Sequence, residues 1–203
     1  MDVDPVPDPA ADPHEVAGGR LLVATPLLTE PTFARAVVLL LQAGGDDGAL
    51  GVVLNRPTGT EVERVLPGWG VAAPAPAVVF EGGPVQPQAA ICLAELRPAA
   101  GPQEGLALLP PSRPGPRRAT VDLDAAPEDL LPAIARLRVF AGYAGWSPGQ
   151  LEAEVAEGAW WVVDPLPDDV YRVQPQELWR TVLRRQGPPL AFAVTLPDDA
   201  TLN

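Results

Sequence analysis

Twenty-seven prolines and 19 glycines interrupt this 203-residue chain. They are scattered through apolar segments rather than gathered into repeats, so they mark frequent turns and strand ends. The apolar runs between breakers, such as Ala36 to Leu41, are far short of the roughly 20 residues a membrane-spanning helix needs. Hydrophobic residues make up 47% and charged residues 20% of the chain, the balance of a globular protein. The length suits one domain, or one domain with tails, and allows a sizeable core.

The breakers divide the chain into short elements. Met1 to Ala17 has four prolines and five acids and little to bury, so residues 1–18 read as a disordered acidic tail and residues 19–203 as one domain. Arg20 to Ala24, Ala36 to Leu41 and Leu50 to Leu54 read as strands, the last two a hairpin across the turn from Gly44 to Gly48. Thr60 to Leu66 reads as a short helix with a capping box formed by Thr60 and Glu63. Ala77 to Phe80, Ala89 to Leu93, Thr120 to Leu123, Val139 to Tyr143 and Trp160 to Val163 are further strands. Arg97 to Arg118 reads as an irregular connection. Helical spacing appears over Pro127 to Leu137, although Pro132 interrupts it. Ser147-Pro148-Gly149-Gln150 offers a second capping box, with Leu151 and Val155 inward and Gly158 ending the helix. A last helix starts near Pro175, buries Leu178, Trp179, Val182 and Leu183, and ends on Arg184 and Arg185. Short strands with separate helices inserted give an α+β fold rather than a regular βαβ alternation.

The net charge of −12 is unevenly placed, with −5 in residues 1–18, 0 in residues 19–118 and −7 in residues 119–203. All 14 basic residues are Arg. No stretch offers the basic face that supplies affinity for phosphate backbones, which argues against direct nucleic-acid binding and against adhesion to an anionic membrane. The acidic N-terminus is the opposite of a signal-peptide start, so the expected compartment is the cytoplasm.

Catalytic chemistry is thinly supplied. One His (His14, in the acidic tail) and one Cys cannot assemble a His/Cys metal site, and a serine triad lacks its histidine. No Gly-rich phosphate loop of known spacing is present, and no cofactor is expected. Cys92 sits in an apolar strand with no neighbouring base, the setting of a buried structural thiol. Three segments carry chemistry beyond core packing: Asn55-Arg56-Pro57, Gly82-Gly83-Pro84, and Gly142-Tyr143-Ala144-Gly145-Trp146 running on to Gln150. Asn55, Arg56, Gly82, Gly83, Tyr143, Trp146 and Gln150 are the candidate ligand or partner surface. Arg56 is expected near the helix starting at Pro148, with Glu81, Glu152 or a bound anion between them, since an unpaired guanidinium is costly and a helix N-terminus repels it. The plainer reading of each segment is structural: glycines for the backbone, Ser147 as a cap, Tyr143 and Trp146 as packing.

Together these segments resemble the YqgE/AlgH family of bacterial proteins. The likeness rests on Gly19 to Ala24 with Pro26 and Phe33, Gly48 to Pro57, Gly82 to Val85, Gly142 to Trp146, Pro148 to Glu152, Gly158 to Trp160, and Trp179, in that order over residues 19–187. The resemblance implies an α+β fold with a bifurcated, mostly antiparallel sheet folded into a pseudo-barrel beside a few helices. Members are often labelled transcriptional regulators, with no molecular activity established for the family. Many carry a histidine after the second strand and another after the strand that follows Gly-Gly-Pro-Val. Here those regions read Leu41-Gln42-Ala43-Gly44 and Ile91-Cys92-Leu93-Ala94, so a histidine-dependent activity would be missing. Three functions follow as expectations. The first is a non-enzymatic regulatory or interaction protein with a protein partner; next comes a binder, or an enzyme, of a small anionic ligand; last is a DNA-binding regulator, which the acidic charge opposes.

Overall fold

A computed structural model describes residues 15–110 and 115–195, so His14 and most of the expected tail lie outside the described residues. Within residues 15–18, Val16 already packs on a buried cluster. Strand β1 (Leu21–Ala24) is wholly buried, as a continuous apolar run between two neighbours should be. It pairs antiparallel with β2 (Val37–Ala43), which pairs with β3 (Ala49–Val53) across residues 44–48, as the hairpin reading expects.

Beyond β3 come β4 (Pro57–Glu61), helix α1 (Val62–Val65), β5 (Val78–Glu81), the long β6 (Val85–Leu96), β7 (Leu106–Leu108) and β8 (Arg118–Val121). Helix α2 (Pro127–Leu130), the 13-residue β9 (Ile134–Trp146), α3 (Gln150–Ala156), β10 (Trp160–Val163) and α4 (Leu178–Arg185) complete the order.

The sheet runs β10-β1-β2-β3-β9-β6-β8-β7 and forks at β9. One edge of β9 carries β6 along most of its length. The other edge is shared: residues 140–141 pair in parallel with β5, itself paired with β4, and residues 144–146 pair with β3.

The fork is present but the pseudo-barrel is not, because β10 and β7 end the sheet without meeting. The apolar face that closure would bury is covered by other means. Leu178, Trp179, Val182 and Leu183 of α4 pack with Leu21, Val23, Leu39, Leu93 and Phe140 on one face. On the opposite face Leu151 of α3 joins Leu22, Val38 and Trp146, while Val62 and Leu130 pack with Cys92, Leu137 and Val139. With both faces served by helices, strand pairing between the ends is not needed to remove apolar surface from water.

Local departures have similar causes. Thr60 lies in β4, and Glu63 instead accepts the amides of Gly68 (3.0 Å) and Gly70 (3.0 Å), fastening the turn after α1 rather than capping its start. The spacing over Pro127 to Leu137 yields one helical turn and a 3-10 turn containing Pro132, after which Ile134 enters β9 to pair with Leu96. The connection after Arg97 holds β7, antiparallel to β8.

Candidate functional site

The paired glycines and Gly142 form the fork itself. The Gly82 carbonyl accepts the amide of Val53 (2.9 Å), and the Gly82 amide donates to the Ala141 carbonyl (2.8 Å), so one residue ties β3 to β9. A Cβ on Gly83 would stand 2.2 Å from the Tyr143 carbonyl carbon, and one on Gly142 2.6 Å from the Gly83 carbonyl oxygen. Both have positive φ, 151° and 69°. Two backbones cross here at a distance that excludes side chains.

Asn55 and Arg56 act on the segment before β2. Asn55 is buried, its side-chain oxygen accepting the Val37 amide (3.0 Å) and its amide donating to the Arg35 carbonyl (2.9 Å). The Arg56 guanidinium donates to the Ala34 carbonyl, and its own carbonyl accepts the amide of Glu81 (2.8 Å). Its partner is thus a backbone oxygen, not the carboxylate or anion expected. Next to Ala34, Phe33 stacks on Trp146 at 6.3 Å and meets Trp160 edge-on at 5.6 Å. Asn55 and Arg56 therefore hold in place the residues that carry one wall of an aromatic cluster.

Glu154 of α3 locks the other walls. One carboxylate oxygen accepts the indole N–H of Trp146 (3.0 Å) and of Trp160 (2.8 Å); the other accepts the Gln150 amide (2.9 Å). Gln150 in turn accepts the Ser147 amide at 3.1 Å, which is the half of the capping box that forms. Helix α3 starts at Gln150, after Gly149 in the left-handed conformation.

Against this frame lies an open hollow of about 570 Å³, with Gln42, Asp47, Leu50, Tyr143, Trp146 and Gln150 on its walls. Arg56, Gly82 and Gly83 are not among its lining residues, and among the described residues no basic side chain is. The seven candidate residues thus divide. Tyr143, Trp146 and Gln150 share the hollow, while Asn55, Arg56, Gly82 and Gly83 build the scaffold behind it.

Cys92 is buried, and burial pushes its thiol up to about 12, so it holds its proton at neutral pH. Among the described residues no three His, Cys, Asp or Glu are placed to hold a metal, and no helix is long and apolar enough to cross a membrane.

A second cluster escapes the motif reading. Arg136 and Arg138 share a face of β9 with Phe140, opposite Glu95 and Leu93 of β6, and Arg118 of β8 stands opposite Glu95. Arg138 is 2% exposed, with its guanidinium 4.2 Å above the Phe80 ring. The period-two placement of Arg136 and Arg138 on the inward face of a buried strand is the signal that reveals it.

A family model described as AlgH-like matches residues 21–191. The chain belongs to the AlgH-like family. A relative from Streptomyces avermitilis, named only as a UPF0301 protein, is 52% identical over 190 residues, covering 91% of this chain and 94% of the relative. One from Thermobifida fusca with the same name is 48% identical over 187 residues, with coverage of 91% and 94%. Among solved structures, a Corynebacterium diphtheriae protein superposes with a TM-score of 0.82 at 31% identity, covering 92% of this chain and 95% of that one. The solution structure of AlgH from Pseudomonas aeruginosa gives 0.60 at 27%, covering 90% and 95%. The AlgH-like chain thus shares its fold with those two solved structures over nine-tenths of its length.

Proposed function

We propose that this AlgH-like chain is a non-enzymatic cytoplasmic interaction protein of regulatory role, and that its partner, a protein segment, docks in the hollow beside Tyr143 and Gln150. The observation that carries this reading is the frame behind the hollow. Glu154 fixes two tryptophans and Gln150 at once, so the surface is held in one shape before anything binds, which lowers the entropic cost of association. The walls offer the carboxylate of Asp47, the amides of Gln42 and Gln150, and the apolar sides of Leu50 and Tyr143. Such a lining suits a segment that presents hydrogen-bond donors around a small apolar group. It suits a phosphate backbone poorly, because the one charge among its described lining residues is negative.

Photo-crosslinking in the native cell tests this. A photoreactive residue at Gln150 should give a discrete protein adduct, whereas one at Val71, an exposed position outside the hollow, should not. No adduct at Gln150, or the same adducts from both positions, would remove the hollow as the docking surface.

A further inference from the structure

We propose that Arg138 is the receptor of an internal anion site that takes a small oxyanion, a carboxylate or a phosphate group, edge-on to its guanidinium. All three of its guanidinium nitrogens are buried and lack a hydrogen-bond partner among the described residues. The Phe80 ring covers one face of the group, which attracts the cation but accepts none of its five N–H bonds.

The acids nearest in this part of the fold are engaged elsewhere. Glu95 is held by Arg136 through Nε (3.1 Å) and Nη2 (2.9 Å), and Asp168 accepts from the same Arg136 (2.9 Å). Asp169 is held by Arg185 through two bonds of 2.7 Å. Burial and the neighbouring Arg136 bring Arg138 down to about 10, which still leaves it charged at neutral pH. A buried water would satisfy N–H groups yet leave the charge uncompensated. An oxyanion supplies both, since its paired oxygens match the guanidinium fork. The apolar surroundings given by Leu93, Phe80 and Phe140 strengthen that pairing by excluding water.

Two features place the ligand. Arg118 of β8 and Arg136 and Arg138 of β9 flank Glu95 of β6, the one described acid between them, a local positive charge inside a chain of net charge −12. Arg136 and Tyr171, both near enough to act on the charge of Arg138, also line an open hollow of about 500 Å³. Arg136 lies over the Tyr171 ring at 4.3 Å, and the Tyr171 hydroxyl reaches the Leu93 carbonyl only at 3.5 Å. Rotation of these two side chains, which line the hollow and neighbour Arg138, is the proposed way in.

The test is thermal denaturation at constant ionic strength, with sodium chloride replaced stepwise by sodium phosphate in one arm and by acetate or succinate in another. The wild-type midpoint should rise saturably in at least one arm, and the arm that responds tells a phosphate ligand from a carboxylate. Arg138→Met should abolish the rise, while Arg180→Gln, at a half-buried position of α4 paired with Glu177, should keep it. In chloride alone Arg138→Met should melt at or above the wild-type temperature, because it removes an uncompensated buried charge. No saturable rise in the wild type overturns the proposal, as does a rise that persists in Arg138→Met, which would be the general stabilisation by excluded ions. If Arg138→Met does not fold, the side-chain Nε–H resonance of Arg138 in the wild type serves instead. It should shift saturably in the same titration, and a stationary resonance overturns the site.

Discussion

Gly83 and Gly142 cross so closely that a Cβ on Gly142 would lie 2.6 Å from the Gly83 carbonyl oxygen. This contact sets the fork of the sheet, where β3 and β5 share one edge of β9. Gly142→Ala adds a steric clash to a backbone at φ 69° and should destabilise the fold by at least about 3 kcal/mol. Gly149→Ala meets nothing within 4 Å and should cost only the left-handed strain, roughly 1–2 kcal/mol. Equilibrium denaturation of the two variants checks the order; equal costs would mean that the crossing relaxes freely.

Asn55→Leu leaves the Val37 amide and the Arg35 carbonyl without their side-chain partner. The expected loss is about 2 kcal/mol. Arg56→Ala removes one bond to the Ala34 carbonyl from a partly exposed side chain, so about 1 kcal/mol is expected. Denaturant midpoints at unchanged slope measure both. An Arg56→Ala protein as stable as wild type would return Arg56 to the list of binding residues.

The parts of the fold legible in the sequence are those decided by local pattern. Apolar runs such as Ala36 to Leu41 and the stripe Leu178, Trp179, Val182, Leu183 specify a buried strand and an amphipathic helix without reference to distant residues. Thr60 misleads because its capping pattern competes with pairing between β4 and β5, which only the tertiary structure supplies. The open sheet is illegible for the same reason: nothing local to Leu106–Leu108 says whether it meets β10. Within the candidate site the glycine motifs are legible but their task is not, since a close backbone crossing and a ligand-cradling loop ask for the same residue. Arg138 is illegible for a third reason: a charged residue in a strand reads as solvent-facing, and only the packing of Leu137 and Val139 on the opposite face shows that it points inward.

Cys92 gives a pH prediction. Its thiol is raised from 9.0 to about 12 by burial, so the folded state keeps a proton that the unfolded chain releases. That contribution is intact below pH 9 and is lost as pH rises from 9 toward 12, with a limiting slope of about 1.4 kcal/mol per pH unit. Cys92→Ala should show a shallower decline between pH 9 and 10. A decline of equal slope in both proteins would mean that the thiol ionises as easily folded as unfolded. At pH 8 a thiol reagent should label the wild type only as fast as it unfolds.

The docking role of the hollow is tested most directly by a charge reversal on its wall. Asp47 is exposed, lies in the turn between β2 and β3 and contributes the one charge among the hollow's described lining residues, so Asp47→Arg should change stability by no more than about 0.5 kcal/mol. The adduct yield from a crosslinker at Gln150 is then compared with and without this substitution in the native cell. The account predicts at least a tenfold loss of adduct at an unchanged melting temperature. An undiminished yield of the same adduct would contradict it.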